Sequence, residues 1–498
     1  MRRLSVIIPV MNEAEKIGNI LQEVKKLKPL EIITVVNGST DQTSSIAKTM
    51  GAKIINYEKP LGHDIGRAIG AYHATGDILL FLDGDFVIRS QQLLPFVNAI
   101  HSGNDIALND LSRIMKRKGI PHAVSIVKAV INDYFNRNDL SINSLVAVPH
   151  AMSRKAIDRI GWWNLADPPL AQAIALHLKL KIVSPKYVDV ISLNKVRKKD
   201  HVILEKGSPY PKSTSLIIGD HMKAMHYIGK VLGKRGFYYN DPSMDKNYEI
   251  PKKNKNIKRS IVITVNHKSQ DFLKRIQSLK KDKLAEEFIV VLAGTDKNFM
   301  KQVKKTGALV LPVSSSMNTY AMRALGASLA SGEIILFTES HSSMNQIELE
   351  PFFKEIEKGA DISLNNVSSL LKARPTDPMQ LLYYFLNISL KKPELLNNSL
   401  TITPHAIHRK VIDQFGWKSL EVPPLAYVYA ITGNLKVKAS NSINKENLQS
   451  QDSVQMKSIY EDHLKAFHYY LTVTNKRGGF TKGSKNYNEL KKLKNKDW

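Results

Sequence analysis

No cysteine occurs among the 498 residues. That excludes disulfides and thiolate metal sites and fits a reducing, cytoplasmic setting. No apolar run is long enough to span a bilayer. The opening stretch, MRRLSVIIPVMNEAEK, has only a short apolar segment, followed by Asn12 and Glu13 with no small-residue cleavage pattern. It reads as a first buried strand, not a signal peptide. Acidic residues are few beside basic ones, 45 against 72, leaving a formal net charge of +27. Such an excess attracts something anionic: a nucleotide diphosphate, nucleic acid, an acidic polymer or an anionic membrane face. The lysine-rich runs KVRKKD (195–200) and PKKNKNIKR (251–259) read most simply as solvated faces or linker. A nucleic-acid motif and an aromatic ladder are both missing, which counts against a polyanion-binding module.

What is present is an internal repeat. SVIIPV (5–10) answers to SIVITV (260–265), and RAIGAYHATGDILLF (67–81) to RALGASLASGEIILF (323–337). VPHAMSRKAIDRIGWWNLADPPLA (148–171) answers to TPHAIHRKVIDQFGWKSLEVPPLA (403–426), and GDHMKAMHY (219–227) to EDHLKAFHY (461–469). The order is colinear. It predicts two copies of one domain, 1–240 and 259–498, joined by a basic linker at 241–258.

Within each copy, short β-branched runs alternate with amphipathic stretches of helical spacing. This predicts an α/β fold, a mostly parallel Rossmann-like sheet with helices on both faces. Ligands bind such sheets beyond the carboxyl ends of the strands. The loops PVMNE, VNGSTDQT and LDGDF each follow a strand directly. In LDGDF, Asp83 and Asp85 stand two apart, so an extended backbone would send both carboxylates to one side. Paired hard oxygens there suit Mg²⁺ or Mn²⁺; a polar turn after a buried strand is the plainer alternative.

The ordered set SVIIPVMNEAEKI, VVNGSTDQT, LGHDIGRAIGAYHATGD, LDGDF and GWWNLADPPLA, over roughly residues 3–195, resembles the family 2 glycosyltransferases, which have a nucleotide-sugar-binding GT-A fold. The resemblance implies two tandem GT-A-like domains and an inverting, metal-dependent transfer from a nucleotide-diphosphate sugar, a UDP-sugar by family habit. It places Pro9, Asn12, Glu13, Asn37, Gly38 and Asp41 around base and ribose, Asp83 near the ribose, and Asp85 on the metal. Arg67 would meet phosphate or serve the fold, and Ser39 to Asp41 could equally cap a helix. Asp167 matches the catalytic base, although Ala166 stands where the family has a second acid; the alternative is a helix cap. His221 would be a third metal ligand or a core histidine.

The second copy keeps the apolar strands and changes the chemistry. Glu339 and His341 replace Asp83 and Asp85, Val422 replaces Asp167, His267 and Lys268 replace Asn12 and Glu13, and Ala293 replaces Asn37. The first copy is therefore expected to be active and the second degenerate, with Glu339–His341 as its one feasible residual metal pair. The acceptor is left open. The basic charge suits an anionic one, lipid-linked or part of the cell envelope, with the protein in the cytoplasm or peripheral at the inner membrane face. A nucleotidyltransferase on a related sheet is the competing enzyme, but PVMNEAEKI lacks the glycine-rich basic loop such enzymes use.

Overall fold

The computed structural model describes residues 3–193, 201–236, 256–266, 270–294, 296–340, 345–443 and 453–495. The run 195–200 and the predicted linker, apart from residues 256–258, lie outside them, as do His267, Lys268 and His341. The chain forms two compact units: Met1–Val231 together with Thr474–Trp498, and Leu232–Val473. The internal repeat assigns everything after 258 to the second copy. The last 25 residues instead pack in the first unit, for reasons that become visible at the site.

The first unit is built on a seven-stranded sheet of β1 (Leu4–Val10), β2 (Glu31–Asn37), β3 (Lys53–Tyr57), β4 (Ile78–Phe81), β5 (Ile106–Asn109), β6 (His150–Ser153) and β7 (Ile182–Lys186). Their order across the sheet is β3-β2-β1-β4-β6-β5-β7. β1 lies parallel to both β2 and β4, and β6 runs antiparallel between β4 and β5. The sequence LSVIIPV suits this central place, because a strand covered on both faces needs apolar side chains throughout. Val6, Ile8 and Val10 point into one core with Ile17, Ile20, Leu21 and Val24 of helix Ala14–Lys25.

The second unit repeats the plan with β8 (Arg259–Val265), β9 (Glu287–Ala293), β10 (Leu309–Val313), β11 (Ile334–Glu339), β12 (Ile362–Leu364), β13 (His405–His408) and β14 (Val437–Ala439). The order β10-β9-β8-β11-β13-β12-β14 is the same, and so are the strand directions. The fold is α/β with two mostly parallel sheets.

A matched pair of histidines shows how closely the units correspond. His150 begins β6, stacks on Phe81 with ring centroids 4.9 Å apart, and its Nδ1 lies 2.9 Å from the Ala147 carbonyl. His405 does the same with Phe337 at 5.1 Å and the Ile402 carbonyl at 2.9 Å. Burial, reinforced by Arg67 and Arg323, lowers each from its usual 6.5 to about 3. A base whose folded pKa is depressed leaves the native state under-protonated relative to the unfolded chain below pH 6.5. Its stability contribution is therefore complete above 6.5 and declines as pH falls toward 3. The melting temperature is expected to drop across this window, and His150→Leu to flatten part of that slope. An unchanged slope in His150→Leu would show that the histidine does not contribute.

Candidate active site

The crevice lies where β1 has β2 on one side and β4 on the other, so that loops 11–13, 38–42 and 82–86 converge. Pro9, half-buried, is the last residue but one of the central strand. Asn12 takes a left-handed backbone, φ 55°. Its Oδ1 accepts from the Thr40 amide at 2.8 Å and its amide donates to Ser39 Oγ at 3.1 Å. The amide of Glu13, a buried residue, donates to Thr43 Oγ1 at 2.9 Å. Asp41 accepts from the amides of Ala14, at 3.1 Å, and Thr43, at 3.0 Å, and so caps the starts of two helices. Burial would raise its pKa, but the Thr43 hydroxyl and these amides outweigh it and hold the carboxyl below its usual range. Asn37 takes the Leu61 amide on Oδ1 and donates to the Gly62 carbonyl at 3.3 Å, while Gly38 sits against Pro60. Asn12, Asn37 and Asp41 thus tie the loops that follow β1, β2 and β3 to one another.

LDGDF follows β4. A Cβ on Gly84 would lie 2.4 Å from Val10 Cγ1, so only glycine lets this turn press against the end of β1. The Asp85 carbonyl accepts from Lys16 Nζ. Asp83 keeps 38% of its side-chain surface, and its Oδ1 accepts from Arg67 Nη2 at 3.0 Å. Arg67 is buried and also pairs with Asp64 Oδ1 at 3.2 Å, its Nη1 facing the Leu145 and Val146 carbonyls at 3.4 Å. The phosphate role offered for Arg67 gives way to a scaffold role: its guanidinium bolts Asp64 to Asp83. Arg323 does likewise with Glu339 in the second unit and donates to the Thr401 carbonyl at 3.0 Å.

Asp167 departs furthest from the expected picture. It stands before helix Pro168–His177, but its side chain makes no cap bond. It is 2% exposed. Oδ2 takes the ammonium of Lys223; Oδ1 accepts from Tyr487 Oη at 2.6 Å and lies 3.4 Å from Lys485 Nζ. Burial alone would raise its pKa; Lys485, Lys223 and the Tyr487 hydroxyl hold it down instead. An acceptor hydroxyl cannot reach a carboxylate so enclosed, and a lowered pKa makes a poor proton acceptor. In this arrangement Asp167 is a buried counter-ion, not an open general base.

Lys485 belongs to the C-terminal segment that packs in the first unit. Its side chain is fully buried, donating to the Ala166 carbonyl at 2.7 Å and Asp220 Oδ2 at 2.9 Å, with Asp64 Oδ2 at 3.5 Å. Arg477 pairs with Asp220 and donates to the Leu216 carbonyl at 3.0 Å. Burial lowers the Lys485 pKa and raises that of Asp220; for Lys485 the three carboxylates win, so it stays charged. Asp64, Asp220, Lys223, Lys485 and Tyr487 are the residues that sequence reasoning missed. Asp64 lies in LGHDIGR (61–67), and its counterpart, Tyr320, packs its ring under Arg323 at 5.3 Å.

His221 does not complete a metal site. It is buried on helix Lys212–Gly236, its Nδ1 lies 2.7 Å from the Ile217 carbonyl, and burial lowers it to about 3. Among the described residues, no three histidine or acidic side chains are grouped to hold a metal. His463 makes the same contact with Ile459 at 2.8 Å. Both copies therefore use this histidine inside a helix packing. Two carboxylates are what LDGDF itself offers, which suits Mg²⁺ or Mn²⁺, ions that rely on one or two protein carboxylates and complete their shell with phosphate oxygens and water.

Residues 5–161 match the family profile described as Glycosyl transferase family 2. The first unit carries a family 2 glycosyltransferase domain. Glucosyl-3-phosphoglycerate synthase from Mycolicibacterium smegmatis is 32% identical over 106 residues, 19% of this chain and 34% of the relative. 4,4'-Diaponeurosporenoate glycosyltransferase from Staphylococcus haemolyticus is 33% identical over 101 residues, 19% of this chain and 27% of the relative. The chain thus spans about a third of the length of these curated relatives. The crystal structure of glucosyl-3-phosphoglycerate synthase from Mycobacterium tuberculosis with Mn²⁺, UDP and glucosyl-3-phosphoglycerate aligns at 18% identity and a TM-score of 0.34. That alignment covers 45% of this chain and 80% of the other. The match to the family 2 domain coincides with β1 to β6, the elements that carry LDGDF.

Proposed function

We propose that the family 2 domain transfers a sugar from a nucleotide-diphosphate sugar, a UDP-sugar, to the hydroxyl of an anionic acceptor. The observation that carries this reading is the placement of Asp83 and Asp85 beyond β4. Gly84 seats their turn against β1, Arg67 fixes Asp83, and the whole lies within the residues matched to the family. A divalent ion held by these carboxylates would neutralise the charge that develops on the departing diphosphate. The chain's own residues do the positioning: Arg67 orients Asp83, and Asn12, Asn37 and Asp41 stiffen the loops on the nucleotide side.

The names of the two curated relatives include 3-phosphoglycerate, which bears a phosphate and a carboxylate, and diaponeurosporenoate, a carboxylate. Together with the +27 charge, they support an acceptor that bears phosphate or carboxylate, whether small or lipid-linked. Among the described residues no helix is long and apolar enough to cross a membrane, so a lipid-linked acceptor would be met at the surface. The second unit, with Val422 in place of Asp167 and Ala293 in place of Asn37, is assigned a supporting role.

The test is incubation with UDP- and GDP-sugars and Mn²⁺ or Mg²⁺, reading release of nucleoside diphosphate. Metal-dependent UDP release is the expected result, and an anomeric configuration in the product opposite to that of the donor would mark inversion. Pyrophosphate release from a nucleoside triphosphate and a sugar phosphate would replace this reading with nucleotidyl transfer. Salt-sensitive nucleic-acid binding without nucleotide affinity would replace it with the polyanion-binding reading.

A further inference from the structure

A continuous chain of ion pairs runs from the C-terminal segment to LDGDF. Lys485 Nζ lies 3.5 Å from Asp64 Oδ2, Asp64 Oδ1 lies 3.2 Å from Arg67 Nη1, and Arg67 Nη2 lies 3.0 Å from Asp83 Oδ1. The backbone reinforces the first link. The Asn486 amide donates to the Leu61 carbonyl at 2.8 Å. Gly62, at φ 83°, passes so close to Ser484 that a Cβ there would lie 2.5 Å from the Ser484 carbonyl carbon and oxygen. Loop 61–64 is therefore held by residues 484–486 on one side and hands its aspartate to Arg67 on the other.

We propose that Lys485 is a positioning residue for the donor site, acting through Asp64 and Arg67 on Asp83, so that the last 25 residues of the chain are a working part of the family 2 domain. The inference rests on the reading that Asp83 faces the nucleotide sugar. Its logic is competition for one guanidinium. With Lys485 in place, Asp64 divides its charge between two cations and Arg67 can serve Asp83. Without Lys485, Asp64 is answered by Arg67 alone and draws it away from Asp83. Tyr487, whose hydroxyl bonds to Asp167 and whose ring centroid lies 5.0 Å from Lys223 Nζ, keeps the segment seated.

The second unit supplies the contrast. It keeps the Arg323–Glu339 pair but has Tyr320 at the place of Asp64, so among the described residues its arginine has no second carboxylate to satisfy. Asp462, the counterpart of Asp220, pairs with Lys465 on its own helix at 3.3 Å. The chain of charges leading to the strand-end acid belongs to the first unit, as does LDGDF.

The experiment is a double-mutant cycle in the full chain, read by calorimetric binding of UDP in the presence of Mn²⁺, with thermal melting as a folding control. Lys485→Met is expected to weaken Mn²⁺-dependent UDP binding about tenfold. Asp64→Asn, which leaves Arg67 to Asp83, is expected to stay within about twofold of the parent, and Lys485→Met on that background to add less than about twofold more. A merely structural lysine would cost the same in either background. If Lys485→Met does not fold, Gly62→Ala lifts the same segment through the backbone and takes its place in the cycle. Full additivity, or unchanged UDP binding in Lys485→Met, overturns the proposal. A parent protein that binds no UDP at all overturns instead the reading on which it rests.

Discussion

Asp85→Ala is expected to lower metal-dependent release of UDP from the UDP-sugar by about a hundredfold or more, while the protein melts as the parent does. The size follows from the charge involved: a carboxylate-held divalent ion stabilises a leaving diphosphate by several kcal/mol, and each 1.36 kcal/mol is about a factor of ten in rate. Stability should change little, because Asp85 sits in a loop after β4 and the guanidinium of Arg67 bonds to Asp83 instead. His341→Ala, at the corresponding sequence position in the second copy, is expected to leave the rate within about twofold, because that copy has Val422 and Ala293 in place of Asp167 and Asn37. Equal losses in the two variants would end the assignment of activity to the first unit. Full activity in Asp85→Ala would remove LDGDF from the mechanism altogether.

The second large effect is on stability. Arg67→Met removes the cation that two carboxylates share, and breaking one partner out of a buried pair costs about 3–5 kcal/mol. Asp64 and Asp83 retain 20% and 38% of their side-chain surface, so the low end of that range is the expected value after screening by solvent. Arg67→Lys should recover only part of it, since an ammonium cannot reproduce two directed contacts from one planar fork. Chemical denaturation monitored at the first unit measures both. Arg323→Met should be costly in its own unit through Glu339 and the Thr401 carbonyl. A loss confined to catalysis, with the unfolding midpoint of Arg67→Met unchanged, would return Arg67 to the phosphate role.

The parts of this architecture that were legible in the sequence are those written in local pattern. β1 announces itself as LSVIIPV because a central parallel strand must be apolar on both faces. LDGDF is readable because its glycine is demanded by contact with Val10. Asp167 was visible as an acid but not as a buried one, since nothing in NLADPP records that Lys223, Lys485 and Tyr487 converge on it from positions up to 320 residues away. The Lys-Asn-Tyr triplet at 485–487 has a twin at 246–248, and local pattern gives no means of telling which serves the first sheet. For His221 the resemblance leaves a metal ligand and a core histidine both open, and its retention as His463 in the second copy already points to the core; each imidazole satisfies a carbonyl on its own helix.

The return of residues 474–498 to the first unit changes how the molecule can be divided. In connectivity the second unit is an insertion within the first, entered after Val231 and left before Thr474. A shortened chain ending at residue 240 would contain every residue matched to the family yet leave Asp64, Asp167 and Asp220 without Lys485. Joining 231 directly to 474 would delete the second unit and keep that lysine. For this chain, the natural cut is an excision, not a truncation.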